Sequence, residues 1–177
     1  MSTEEWVIIA VRVAGSLPVL RWPFFGGWVA IGTDLSDLFL RSYLQLGGVS
    51  NYQSFDKWLD QIYLALFLVA AFRWQGPARS VAVGLYAFRL AGFVVFEVSG
   101  ERWTLLLFPN VFEFWFLFVA GTRRWWQKFP YRAGPIAAVL ATLLALKLVQ
   151  EYALHVALWL DDFTAREAVE AVTGFFT

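Results

Sequence analysis

Apolar stretches dominate this chain, and short polar or Gly/Pro punctuation divides them at regular intervals. Residues 6–20 form a first apolar segment, closed by Pro18 and Pro23 around Arg21-Trp22. A second, 24–46, ends in the loop signature Gly47-Gly48-Val-Ser-Asn51, and a third, 55–74, ends at Gln75-Gly76-Pro77. The fourth covers 78–98 and stops at Ser99-Gly100-Glu101-Arg102. The fifth covers 103–120 and carries an internal Pro109-Asn110. The sixth covers 135–160, after the basic loop Arg123 to Arg132. Each is close to the roughly 20 apolar residues that cross a bilayer as a helix. The pattern predicts an all-α fold: a polytopic helical membrane protein with about six transmembrane helices in one domain, 1–177. After Asp161-Asp162 the pattern changes. Thr164-Ala-Arg-Glu167 fits a capping box, and Ala168, Val169, Val172 and Phe176 make one apolar face, which predicts a short amphipathic interfacial helix over 164–176.

Composition agrees, with 59% hydrophobic and 19% aromatic residues and a mean hydropathy of +0.58. The acidic start Met1-Ser-Thr-Glu4-Glu5 lacks the basic region of a signal peptide, so the first segment is expected to stay. Net charge is zero, and no basic tail or phosphate loop points to nucleic acid or nucleotide hydrolysis. The absence of cysteine removes disulfide and thiolate chemistry, and a lone His155 removes multi-histidine metal sites. What remains is carboxylates, arginines, lysines and oxygen-bound metal ions. Alternating loops put Arg21, Arg73, Arg79, Arg123, Arg124, Lys128 and Arg132 on one side, which the positive-inside rule makes cytoplasmic, with both termini outside. A bacterial or archaeal cytoplasmic membrane is the expected location.

Charges inside apolar helices are costly unless paired or used. A rise of about 1.5 Å per residue converts position into depth. Asp37, Arg41, Asp56, Asp60, Glu97, Glu151 and His155 fall in one half of the membrane, while Arg12, Asp34, Arg89, Glu113 and Lys147 fall near its middle. Arg12 with Asp34, and Arg89 with Glu113, match in depth on consecutive helices and are expected to pair. Lys147, Glu151 and His155 share one face of the sixth helix as a ladder, with His155 a hydrogen-bonded interior residue or an interfacial one rather than a metal ligand. Four of the chain's six aspartates, Asp34, Asp37, Asp56 and Asp60, sit at the facing ends of the second and third segments. Converging carboxylates must spread, take up protons or share cations. An all-oxygen set suits Mg²⁺ or Mn²⁺.

The spacing D-x2-D followed by D-x3-D, with Thr33-Asp-Leu-Ser-Asp37-Leu-Phe-Leu-Arg41 before the loop and Phe55-Asp-Lys-Trp-Leu-Asp60 after it, resembles the CDP-alcohol phosphatidyltransferase family over about residues 5–75. The family's motif glycines correspond here to Leu38 and Tyr52, and Ser42 stands at its arginine. The resemblance implies that Asp34, Asp37 and Asp56 hold divalent cations against the diphosphate of a CDP-linked lipid. It also implies that Asp60 takes a proton from the acceptor alcohol, and that Arg41, Arg12 and Lys57 contact phosphate. It implies a site facing the cytoplasm, opposite to the charge bias. Two other readings stand beside it. One is a small ion- or proton-coupled transporter or channel built on the buried Asp, Glu and Arg, with Pro109-Asn110 as a broken helix. The other is a non-catalytic scaffold or accessory subunit whose ten tryptophans anchor interfaces or bind membrane lipid. The aromatic surfaces also suit a homo-oligomer.

Overall fold

The computed structural model of the chain describes residues 3–36, 52–101, 104 and 107–155, leaving aside the side chains of residues 4, 52–54, 56 and 151–155. The described residues are all-helical and contain no strand. Helix α1 (Thr3–Ser16) runs into a 3₁₀ turn (Leu17–Leu20), then α2 (Pro23–Leu35), α3 (Tyr52–Ala71), α4 (Pro77–Ser99), α5 (Val111–Trp125) and α6 (Ala133–His155). The interfacial helix expected over 164–176 lies outside the described residues.

Proline and glycine set most of these boundaries. Pro18 in the 3₁₀ turn and Pro23 at the start of α2 occupy first-turn positions, where a missing N–H costs nothing. Gly76 (φ 65°) precedes Pro77 at the start of α4, and Gly100 (φ 70°) closes that helix by donating its N–H to the Phe96 carbonyl, both in a conformation that favours glycine. The fifth segment is split as its Pro109-Asn110 pair suggests, because α5 begins at Val111, beyond the break, and runs on to Trp125 rather than stopping near residue 120. Glu113 in its first turn and Arg123 and Arg124 in its last suit the helix dipole.

Small residues bring α1 and α2 close. A Cβ added at Gly15 would sit 2.3 Å from the Thr33 side chain, and one at Gly26 would sit 2.3 Å from the backbone nitrogen of Val19. The core lies toward one end of the bundle. There Phe67 of α3 and Trp74, just beyond its end, stack on Phe116 of α5, with centroids 4.2 and 5.2 Å apart, and the Trp115 indole N–H donates to the Ala78 carbonyl at 3.2 Å. The same end gathers the basic loops. Arg73 donates to the Leu20 carbonyl, Phe24 meets Trp125 edge-on at 4.6 Å, and the Arg124 guanidinium lies 5.1 Å from the Phe25 ring.

Two helical segments, Pro77–Ser99 and Ala133–Gln150, are long and apolar enough to cross a membrane. Only 11% of Ala133–Gln150 is buried; Leu144, Leu146, Leu148 and Val149 point outward while Lys147 is buried. The first helix has the same polarity. Trp6 is 60% exposed, whereas Glu5, Arg12 and Ser16 join Ile8 on its buried face.

Candidate functional site: a buried seam of charge

Glu5, Ile8, Arg12 and Ser16 recur at helical spacing, so Arg12 must point into the bundle. The close α1–α2 approach at Gly15 and Thr33 then brings the Arg12 guanidinium against α2. Its Nη1 lies 2.9 Å from Asp34 Oδ1 and 3.2 Å from Asp60 Oδ1 of α3. Lys57 Nζ, one turn before Asp60, lies 3.0 Å from Asp60 Oδ2. Two carboxylates from two helices therefore share one guanidinium, and the second oxygen of Asp60 is held by an ammonium. The expected Arg12–Asp34 pairing is present, and Asp60 joins it.

One turn further along α3, Tyr63 opens a second centre. Glu113 Oε2 accepts hydrogen bonds from Tyr63 Oη at 3.2 Å and from Asn110 Nδ2 at 3.0 Å, and it lies 3.9 Å from Lys147 Nζ of α6. Lys147 also donates to Gln150 Oε1 at 3.0 Å and lies 5.2 Å from the Phe114 ring. Asp60 and Tyr63 are three residues apart on one face of α3, so the two centres lie about 4.5 Å apart along its axis. Arg12, Asp60, Arg89, Asn110, Glu113 and Lys147 are all buried. Burial on this scale requires the compensation observed, since a lone buried charge costs several kcal/mol.

Arg89 departs from expectation. It does not pair with Glu113; its Nη1 donates to the backbone carbonyl of Phe108 at 3.0 Å. The Pro109 break explains the change. The helix begins only at Val111, so the Phe108 carbonyl lies outside it, and Phe108, which a Cβ at Gly92 would touch, is delivered against α4 next to Arg89.

The remaining sequence candidates divide as follows. Lys57 is spent on Asp60, and Glu97 is exposed. Asp37 and Arg41, and the side chains of Asp56, Glu151 and His155, lie outside the described residues. Among the described residues no group of three Asp, Glu or His side chains is placed to hold a metal ion, and the cation found between Asp34 and Asp60 is Arg12. Tyr63, Asn110 and Gln150 were not among the sequence candidates. The available signals were modest: Tyr63 stands at i+3 from Asp60, Asn110 at i−3 from Glu113, and Gln150 at i+3 from Lys147.

No family model, curated protein or solved structure matches the chain.

Proposed function

We propose that the chain is a polytopic membrane protein, and that its buried seam serves as the coupling site of an ion- or proton-coupled carrier. The observation that carries this reading is the inverted polarity of the described helices. Leu144, Leu146 and Val149 face outward while Lys147, Glu113, Arg89, Asp60 and Arg12 are buried. A soluble helix presents the opposite pattern. Ionisable groups inside a lipid-facing bundle, arranged as partners that can exchange, are the usual material of ion and proton paths. The break before α5 supports the same reading, because carriers place broken helices beside their binding sites. In this reading Asp60 and Glu113 alternate between their resident cations and a transported ion or proton, and the basic end faces the cytoplasm.

The test uses purified protein in vesicles with a trapped pH-sensitive dye and imposed gradients of sodium, potassium or lactate. A protein-dependent dye response to one of them, lost in Glu113→Gln, is the expected result. Responses equal to those of protein-free vesicles for all three gradients would sink the carrier.

One observation favours a second reading. Asp34 and Asp60 meet on a single nitrogen, which is the convergence that a phosphatidyltransferase-like site requires. There Arg12 and Lys57 would turn to phosphate, leaving the carboxylates to Mg²⁺ or Mn²⁺. Metal-dependent release of CMP from CDP-diacylglycerol, abolished by Asp60→Asn, would establish it; no CMP from active-folded protein removes it.

A further inference from the structure

The stretch from the end of α5 into the loop before α6 carries Arg123, Arg124, Lys128 and Arg132, four cations in ten residues, and no acidic residue occurs from 114 to 150. The loop folds around one ring. Phe129 meets Phe118, Trp126 and Tyr131 edge-on, with centroids 5.1, 5.4 and 4.9 Å away. The Phe129 N–H donates to the Trp126 carbonyl at 3.1 Å, and the Trp126 N–H donates to the Thr122 carbonyl at 2.7 Å. Thr122 Oγ1 donates to the Val119 carbonyl at 3.0 Å, so the Tyr131 hydroxyl, 2.6 Å away, donates to Thr122 and ties the loop to α5. Between them lies a cavity of about 360 Å³ lined by Thr122, Arg123, Trp126, Gln127 and Tyr131, within the size range of small-molecule sites. The two arginines divide their tasks. Arg124 lies over the Phe25 and Trp125 rings, at 5.1 and 5.3 Å, whereas Arg123 lines the cavity and makes no ion pair with a described residue. Complementing the dipole of α5 accounts for the charge of Arg123. It does not account for a cavity whose lining has no carboxylate and brings further N–H donors from Trp126 and Gln127.

We propose that this cavity binds the phosphodiester headgroup of an anionic membrane lipid. The Arg123 guanidinium presents paired N–H groups in one plane, which match two phosphate oxygens, and its single charge matches that of a phosphodiester. The Gln127 amide and the Trp126 indole supply neutral donors for the rest of the headgroup. Two observations favour a lipid over a free solute. Trp125 and Trp126 beside the cavity are 60% and 58% exposed, as indoles are at headgroup level. The cations around them form the kind of cluster that draws anionic lipid, at about 1 kcal/mol for each Lys or Arg near the surface. The site rests on the membrane placement of the proposed function and requires no transport through the buried seam.

The test follows thermal unfolding of the full chain, purified in a neutral sugar detergent, by tryptophan fluorescence. Salt is held at about 0.15 M, where diffuse attraction is screened beyond roughly 8 Å. Phosphatidylglycerol and phosphatidylcholine with the same acyl chains are titrated at equal mole fractions of the micelle, and glycerol 3-phosphate is titrated alone. The expected result is a saturable rise of roughly 5 °C with phosphatidylglycerol, at a hundredfold excess over Kd, and clearly less with the other two. Arg123→Gln should abolish the preference for phosphatidylglycerol, and Arg123→Lys should keep part of it. Arg21→Gln removes an exposed cation from the same end but outside the cavity, and should leave the preference intact. Gln127→Leu, also at an exposed position, should reduce the preference and keeps the test open if Arg123→Gln does not fold. Equal responses to the two lipids, or equal losses in Arg123→Gln and Arg21→Gln, overturn the site and leave only a basic surface. A rise with glycerol 3-phosphate as large as that with phosphatidylglycerol overturns the lipid as occupant. A phosphatidylglycerol response without flux in the vesicle assay removes the carrier and keeps the site; flux without that response does the reverse.

Discussion

At the scale of single residues, Arg12 has the largest electrostatic task in the described bundle, because its Nη1 holds Asp34 and Asp60 together. Removing it takes the shared guanidinium from both carboxylates and leaves Asp60 to Lys57, so Arg12→Gln should cost about 3–5 kcal/mol of unfolding free energy, measured by denaturation in mixed micelles. Asp34→Asn should cost clearly less, since Arg12 keeps Asp60 as a counter-ion. Equal losses in the two variants would show that the shared guanidinium is not the hub. Tyr63→Phe makes a gentler probe. Glu113 would retain Asn110 and Lys147, and the expected loss is about 1 kcal/mol; a loss as large as that of Arg12→Gln would contradict that sharing. These residues also show what the sequence can carry. Depth along a helix is legible from residue number, and it placed Arg12 opposite Asp34. Depth says nothing about direction around the helix axis, and so it misassigned Arg89 to Glu113. Tyr63 and Asn110 escaped because neutral donors do not stand out in an apolar run the way charges do.

At the scale of elements, helix existence follows directly from the hydrophobic runs, while the way helices touch depends on small residues whose role is visible only in contact. Gly92 and Gly84 lie on the same helix, α4, and test this. A Cβ at Gly92 would sit 2.2 Å from the Phe108 Cβ, whereas one at Gly84 meets nothing within 4 Å. Gly84→Ala should therefore stabilise by up to about 1 kcal/mol through helix propensity. Gly92→Ala should destabilise by about 1–3 kcal/mol by overpacking. A Gly92 variant as stable as the Gly84 one would mean that α4 and the segment before α5 are not in close contact. The sequence does mark the break itself, through Pro109-Asn110. Which carbonyl the break frees, and which arginine reaches it, depends on how α4 packs beside it.

At the scale of the whole molecule, the distribution of charge bears on the solvent. The described helices bury Arg12, Arg89 and Lys147 and expose Trp6, Trp28, Val94, Val98, Leu146 and Val149, an arrangement that water penalises and lipid favours. Exposed Trp22, Trp125 and Trp126 sit with Arg21, Arg73 and Arg124 at the end where Leu20, Phe24 and Phe25 are contacted, which is the composition of a membrane–water boundary. If α4 crosses a bilayer, its two ends must open to different compartments. The chain contains no cysteine, so single cysteines at Ser80 and Glu101 report this without interference. Ser80 is exposed at the start of α4 and Glu101 lies just beyond its Gly100 terminus. In intact cells a membrane-impermeant maleimide should label position 101 and leave position 80 unlabelled until the membrane is opened, as the positive-inside rule requires with Arg73 and Arg79 cytoplasmic. The reverse pattern would keep α4 as a span and invert the chain, bringing the Asp34–Asp60 end to the cytoplasmic face that the phosphatidyltransferase-like reading needs. Labelling of both positions from one side would mean that α4 does not cross, and the buried seam would then need an explanation from a water-soluble fold.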